Sequence, residues 1–168
     1  MCTHKLPVLP VLALAAVSLA GISAATRSRP ASIEGVWRTA EVRLGGPGAR
    51  TVSPTEPSMA IITAKHYSRV ESHAERPRPT VVNPATATAD ELRASWGPFY
   101  AEAGTYQVSN DNVVTMHSVV SKNPAAMAAG STTTYTYRAE GDTLWLTQQR
   151  DLRGPVANPA TITLVRVN

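Results

Sequence analysis

The chain has 168 residues, 16 Lys and Arg against 12 Asp and Glu, and a formal net charge of +4, which fits one domain with one sizeable core. The basic residues are spread out with no Lys/Arg block, which argues against a nucleic-acid surface. The single cysteine, Cys2, leaves no internal disulfide and no thiolate chemistry for an exported form, so a hydrophobic core has to carry stability alone.

The N-terminus reads as a secretory signal peptide over 1–25. Lys5 supplies the positive charge, residues 6–20 the apolar stretch, and Ser23 and Ala25 the small positions before a cut after Ala25. Cys2 precedes the apolar stretch, so it is not placed as a lipoprotein anchor. Pro7 and Pro10 disfavour a stable membrane-spanning helix. An uncleaved anchor is the alternative; after cleavage no stable span remains. Residues 26–32 form a short polar leader, and 33–168 the folded domain.

Turn signals are then frequent and the runs between them are short and rich in β-formers. Strands are expected at 35–43, 58–64 and 67–72. Pro77, Pro79 and Pro84 make 73–85 a long loop. Thr88-Ala89-Asp90-Glu91 is a capping box that opens a helix to Trp96, stopped by Gly97-Pro98. Further strands are expected at 104–109, 112–121, 131–139, 142–148 and 160–167. Residues 122–130 form an Ala-rich loop or helical turn, and Glu140-Gly141 a tight hairpin turn. The expected fold is all-β: eight antiparallel strands with one short helix, as a closed barrel or a sandwich. Closure removes exposed edges, and eight strands leave room for one small ligand.

Several segments in order carry a family resemblance. Gly35-Val36-Trp37-Arg38 opens the first strand. Tyr100-Ala101-Glu102-Ala103-Gly104-Thr105-Tyr106-Gln107-Val108, Val114-Thr115-Met116-His117, Pro124, Gly141-Asp142-Thr143-Leu144-Trp145-Leu146 and the terminal Arg166-Val167 follow. Together they resemble the bacterial and fungal lipocalin-like domain proteins, calycin-type barrels. The chain departs from them at Lys65-His66-Tyr67, where the family often has Asp-Gly-Tyr, and at Met116, where a histidine is common. The resemblance implies an eight-stranded antiparallel lipocalin-like barrel in which Arg166 lies over the Trp37 indole and closes one end. Such a cation–π contact is worth about 0.5–2 kcal/mol. It also implies a cup for a small hydrophobic molecule and little about activity.

Alternation sorts the candidate site residues. With Trp37 inward, Thr39 and Glu41 follow it. An inward carboxylate calls for a salt bridge, a place near the mouth, or a role as base or ligand anchor. His117 shares a face with Thr115, and Tyr135 shares one with Tyr137. A histidine or tyrosine there orients a ligand or simply packs the wall. The expected ligand-binding set is therefore Thr39, Glu41, Thr115, His117, Tyr135 and Tyr137. With Leu144 and Leu146 inward, Trp145 faces out toward the helix, which is expected to cover one barrel end.

His66, His73 and His117 show no metal-ligand spacing, so no metal is expected, and no cofactor motif occurs. No Gly-x-Ser-x-Gly elbow or phosphate loop is present. The leading expectation is an exported binder of a small hydrophobic molecule. The alternative is a barrel enzyme, an isomerase, cyclase or dehydratase, with Glu41, His117 and Tyr135 as its acid–base set, which requires that the three converge. A third reading is a barrel filled by side chains, with no cavity.

Overall fold

The computed structural model describes Met1 and residues 32–167. The signal-peptide expectation and all but the end of the polar leader fall outside the described residues.

In chain order the elements are β1 (Gly35–Leu44), β2 (Arg50–Val52), β3 (Met59–Ile62), β4 (His66–Ser72), helix α1 (Ala89–Trp96), β5 (Phe99–Val108), β6 (Val113–Ser121), a short 3-10 turn (Pro124–Met127), β7 (Thr133–Glu140), β8 (Thr143–Asp151), β9 (Gly154–Pro155) and β10 (Thr161–Arg166). Eight strands pair in the circular order β1-β3-β4-β5-β6-β7-β8-β10, each antiparallel to its neighbours. The ring closes because β10 pairs with both β8 and β1. The fold is the expected eight-stranded closed antiparallel barrel. The two additional strands, β2 and β9, are short edge pairings on β1 and β8. Their lengths of three and two residues give a sequence pattern nothing to repeat.

Three register shifts interrupt the ladder, at Ala40 in β1, at Val119 in β6 opposite Ala103 and Gly104, and at Gln149 in β8 opposite Thr134 and Tyr135. Each inserts one extra residue, and side-chain alternation flips beyond it.

One end of the barrel is solid. Trp37, Val114 and Leu144 are fully buried there, packed with Ile62, Leu146 and Leu164. Arg166 and Trp37 are register partners on β10 and β1, and the guanidinium carbon sits 4.1 Å from the indole centroid. Trp37 Nε1 donates to the Ile33 carbonyl at 3.0 Å, and Arg166 Nη1 donates to the Glu34 carbonyl at 3.0 Å. Indole and guanidinium are thus stacked at this end, each hydrogen-bonded to a carbonyl of the chain entering β1.

Helix α1 forms as the capping box dictates. Thr88 Oγ1 accepts from the Glu91 amide at 3.2 Å, and Glu91 Oε2 accepts from the Thr88 amide at 2.8 Å. None of its residues is buried, so it is not a lid packed into the barrel. Its C-terminal end is tethered instead: Lys122 Nζ donates to the carbonyls of Trp96, Gly97 and Phe99. Trp145 does face outward, but its indole is covered by Arg138, 3.6 Å from the ring centroid, rather than by the helix. The two sit next to each other as register partners on β7 and β8, so a local cation–π contact supplies the cover.

Candidate functional site

Beyond the solid end the barrel widens into a cavity of about 780 Å³. It opens where Arg50 and Arg153, both exposed, stand at the rim. Val42, Leu44, Val52, Leu152 and Ile162 form an apolar wall. Between wall and core lies a layer of buried charge.

That layer is built by β4 and β5. Tyr67, Arg69 and Glu71 alternate inward on β4, and Tyr100 and Glu102 on β5, where Arg69 and Glu102 are register partners. Arg69 Nη2 donates to Glu102 Oε1 at 3.2 Å, and its Nε lies 3.6 Å from Glu71 Oε1 without forming a hydrogen bond. The guanidinium also sits over the Tyr100 ring, 4.6 Å from the centroid, with Tyr135 at 6.0 Å. The second oxygen of each carboxylate accepts from a side-chain hydroxyl. Thr39 Oγ1 donates to Glu71 Oε2 at 3.1 Å, and Ser118 Oγ donates to Glu102 Oε2 at 2.7 Å. Ser118 has then spent its only proton, so the Tyr67 hydroxyl, 3.0 Å away, is the donor to Ser118 Oγ. At the rim His73 stacks on Tyr100 with centroids 5.4 Å apart, and its Nε2 lies 3.0 Å from Glu71 Oε1.

The electrostatics follow from burial and pairing. Burial alone would raise the Glu71 carboxyl. The Arg69 charge and the hydrogen bonds from His73 and Thr39 override it and hold the group at about 2. Burial likewise pushes the Tyr67 phenol up to about 12, and it raises Tyr100 despite the adjacent Arg69. Arg69 is held firmly protonated: its own burial works against the charge, and Tyr135 and Glu71 outweigh it.

The expected site residues divide. Thr39 and Tyr135 are buried on the cavity wall. Tyr137 points inward but packs half-buried against the core at the closed end, so it is not on the cavity wall. Glu41, expected inward, faces outward. The bulge at Ala40 reverses β1 beyond Thr39, placing Val42 and Leu44 inside and Glu41 beside Thr163, whose Oγ1 donates to its Oε1 at 3.3 Å. Thr115 and His117 are also outside. The inward row of β6 is Val114, Met116 and Ser118, and His117 Nδ1 donates to the Ser131 carbonyl at 2.9 Å. Of Glu41, His117 and Tyr135 only Tyr135 reaches the cavity, so the expected acid–base set is not assembled.

The groups missed from sequence are Arg69, Glu71 and Glu102. Strict alternation of Tyr67, Arg69 and Glu71 was the available signal. It was masked because hydrophobicity favours the opposite face, with Val70, which is 42% exposed. Among the described residues no cluster of three or more His, Cys, Asp or Glu is arranged to hold a metal. No described helix is long and apolar enough to cross a membrane.

Fold and site together define a closed antiparallel β-barrel with a polar-floored internal cavity. No protein-family model matches the chain, and no curated protein matches it. A solved structure of an uncharacterized protein from Bacteroides eggerthii is similar at a TM-score of 0.41 and 10% identity, over 80% of this chain and 98% of that one.

Proposed function

We propose that this is an exported, lipocalin-like protein that binds a small hydrophobic molecule inside its barrel. The observation that carries this reading is the cavity of about 780 Å³, bounded by aliphatic side chains and ending on a few fixed polar groups. Pockets for small molecules have this size and this division between apolar wall and sparse polar anchors. The Trp37–Arg166 floor and the order of the sequence segments support lipocalin likeness. The N-terminal segment supports export. Burial of apolar ligand surface drives binding, at roughly 25 cal/mol per Å² before the cost of immobilising the ligand.

Titration with the neutral fluorophore N-phenyl-1-naphthylamine tests the proposal. Saturable, one-to-one enhancement is expected for the natural sequence, with affinity reduced about tenfold or more by Leu44→Trp, which sets an indole in the cavity at its open end. Absence of saturable binding to the natural sequence, or an unchanged affinity in a folded Leu44→Trp variant, refutes binding in the barrel. Native mass spectrometry of protein purified gently from an exported fraction then gives the mass of the natural ligand.

A further inference from the structure

We infer that the ligand's polar end is a cation, an amine carried on an apolar body; this rests on the reading of the barrel as a binding cup. The cavity lining holds three arginines, Arg50, Arg69 and Arg153, against four carboxylates, Glu71, Glu75, Glu102 and Asp151. Two of the arginines are already committed at the rim: Arg50 pairs with Glu75 at 2.7 Å, and Arg153 with Asp151 at 2.9 Å. That leaves Arg69 between Glu71 and Glu102, both at most 6% exposed, with His73 the further partner of Glu71 at 3.0 Å.

With the His73 imidazole neutral, one guanidinium for two buried carboxylates leaves the layer one positive charge short. A buried carboxylate that shares its counter-charge with another is less well compensated than one with a partner of its own, so a group that supplies a further positive charge gains affinity from it. An ammonium does so and brings the donors that carboxylate oxygens accept. The aromatic rings favour the same sign of charge. Tyr100 already carries the Arg69 guanidinium on its face, and the Tyr135 ring lies 6.0 Å from the same group. An anionic head would meet two carboxylates and a guanidinium that both of them already engage. On the rim side of Glu71 stands His73, whose side chain is 58% exposed and whose Nε2 lies 3.0 Å from Glu71 Oε1.

The test is a competition series near neutral pH, in which decylamine, decanol and decanoate each displace N-phenyl-1-naphthylamine from the protein below their micelle concentrations. The three share one apolar body and differ only in the charge of the head. Decylamine is expected to displace the probe at least about tenfold more tightly than decanol, with decanoate weakest. Glu102→Gln is expected to bring decylamine down to the level of decanol while decanol is unchanged. If decanol matches decylamine, or decanoate displaces best, the inference is overturned while cavity binding stands. If the probe itself does not bind, the cup reading fails and this inference falls with it. Should Glu102→Gln not fold, the ranking on the natural sequence decides by itself.

Discussion

Arg69 is the residue on which the interior depends. It is buried, it faces two carboxylates, and it lies on a tyrosine ring. Removing one member of such a set leaves charges without partners, which is far costlier than replacing the whole set by apolar groups. Glu71 makes this visible in acid. Its carboxyl is held at about 2 against an ordinary 4.5, so its contribution is complete above about pH 4.5 and is lost as pH falls through about 2. Urea unfolding at stepped pH is expected to show stability declining by on the order of 3 kcal/mol over that window, and Glu71→Gln to flatten the decline. The residues singled out in sequence behave oppositely. Glu41→Gln and His117→Ala both act on the outer face, so probe affinity is expected to stay within about twofold of the natural sequence. A tenfold loss in either variant would put that side chain back in the cavity.

At the scale of elements, two short insertions shape the site. The extra residue at Ala40 turns the second half of β1 so that Val42 and Leu44 face the cavity. The extra residue in β6 opposite Ala103 and Gly104 returns Ser121 to the lining after Ser118. Barrel strands use such bulges to bend and to redirect side chains. The start of β1 is constrained differently. A Cβ on Gly35 would collide with the Arg166 guanidinium and would lie 3.2 Å from Trp37 Nε1, so only glycine lets the last strand's arginine lie over the indole. Gly35→Ala is expected to cost about 1–3 kcal/mol in chemical denaturation. In the Gly35→Ala, Arg166→Ala double variant the cost is expected to be less than the sum of the singles, because the clash is gone. Additive losses would show that Gly35 matters for another reason.

Across the whole molecule, closure joins the two ends of the folded segment, since β10 lies against β1 and completes the ring. Such long-range pairings make folding slow compared with a helical protein of the same size, because loop closure is paid before the contacts form. They also concentrate stability at the closed end. Trp37→Ala removes the largest fully buried side chain and the platform for Arg166, and is expected to cost about 3–5 kcal/mol. Leu44, half-exposed at the open end, is expected to cost much less on truncation to Ala. Equal losses at the two sites, measured by urea midpoints, would contradict a barrel that is solid at one end and hollow at the other. The hollow end can tolerate open volume and buried charge because the solid end holds the ring shut.

What could be read from sequence was local, or marked by rare residues. Turn residues and β-propensity located all eight ring strands, since each signal acts within a few neighbours. The capping box at Thr88 and Glu91 announced the helix for the same reason. Trp37 and Arg166 could be matched across the whole chain because each sits in a recognisable terminal segment. Which side chains face the interior was decided only by the tertiary structure. A period of two assigns faces correctly until one inserted residue reverses it, and Glu41 lies just past such a residue. The arginine and two glutamates of the floor were out of reach for a further reason. Charged residues belong inside only when their partners arrive from other strands, and the pairing of Arg69 with Glu102 exists only once β4 and β5 lie side by side.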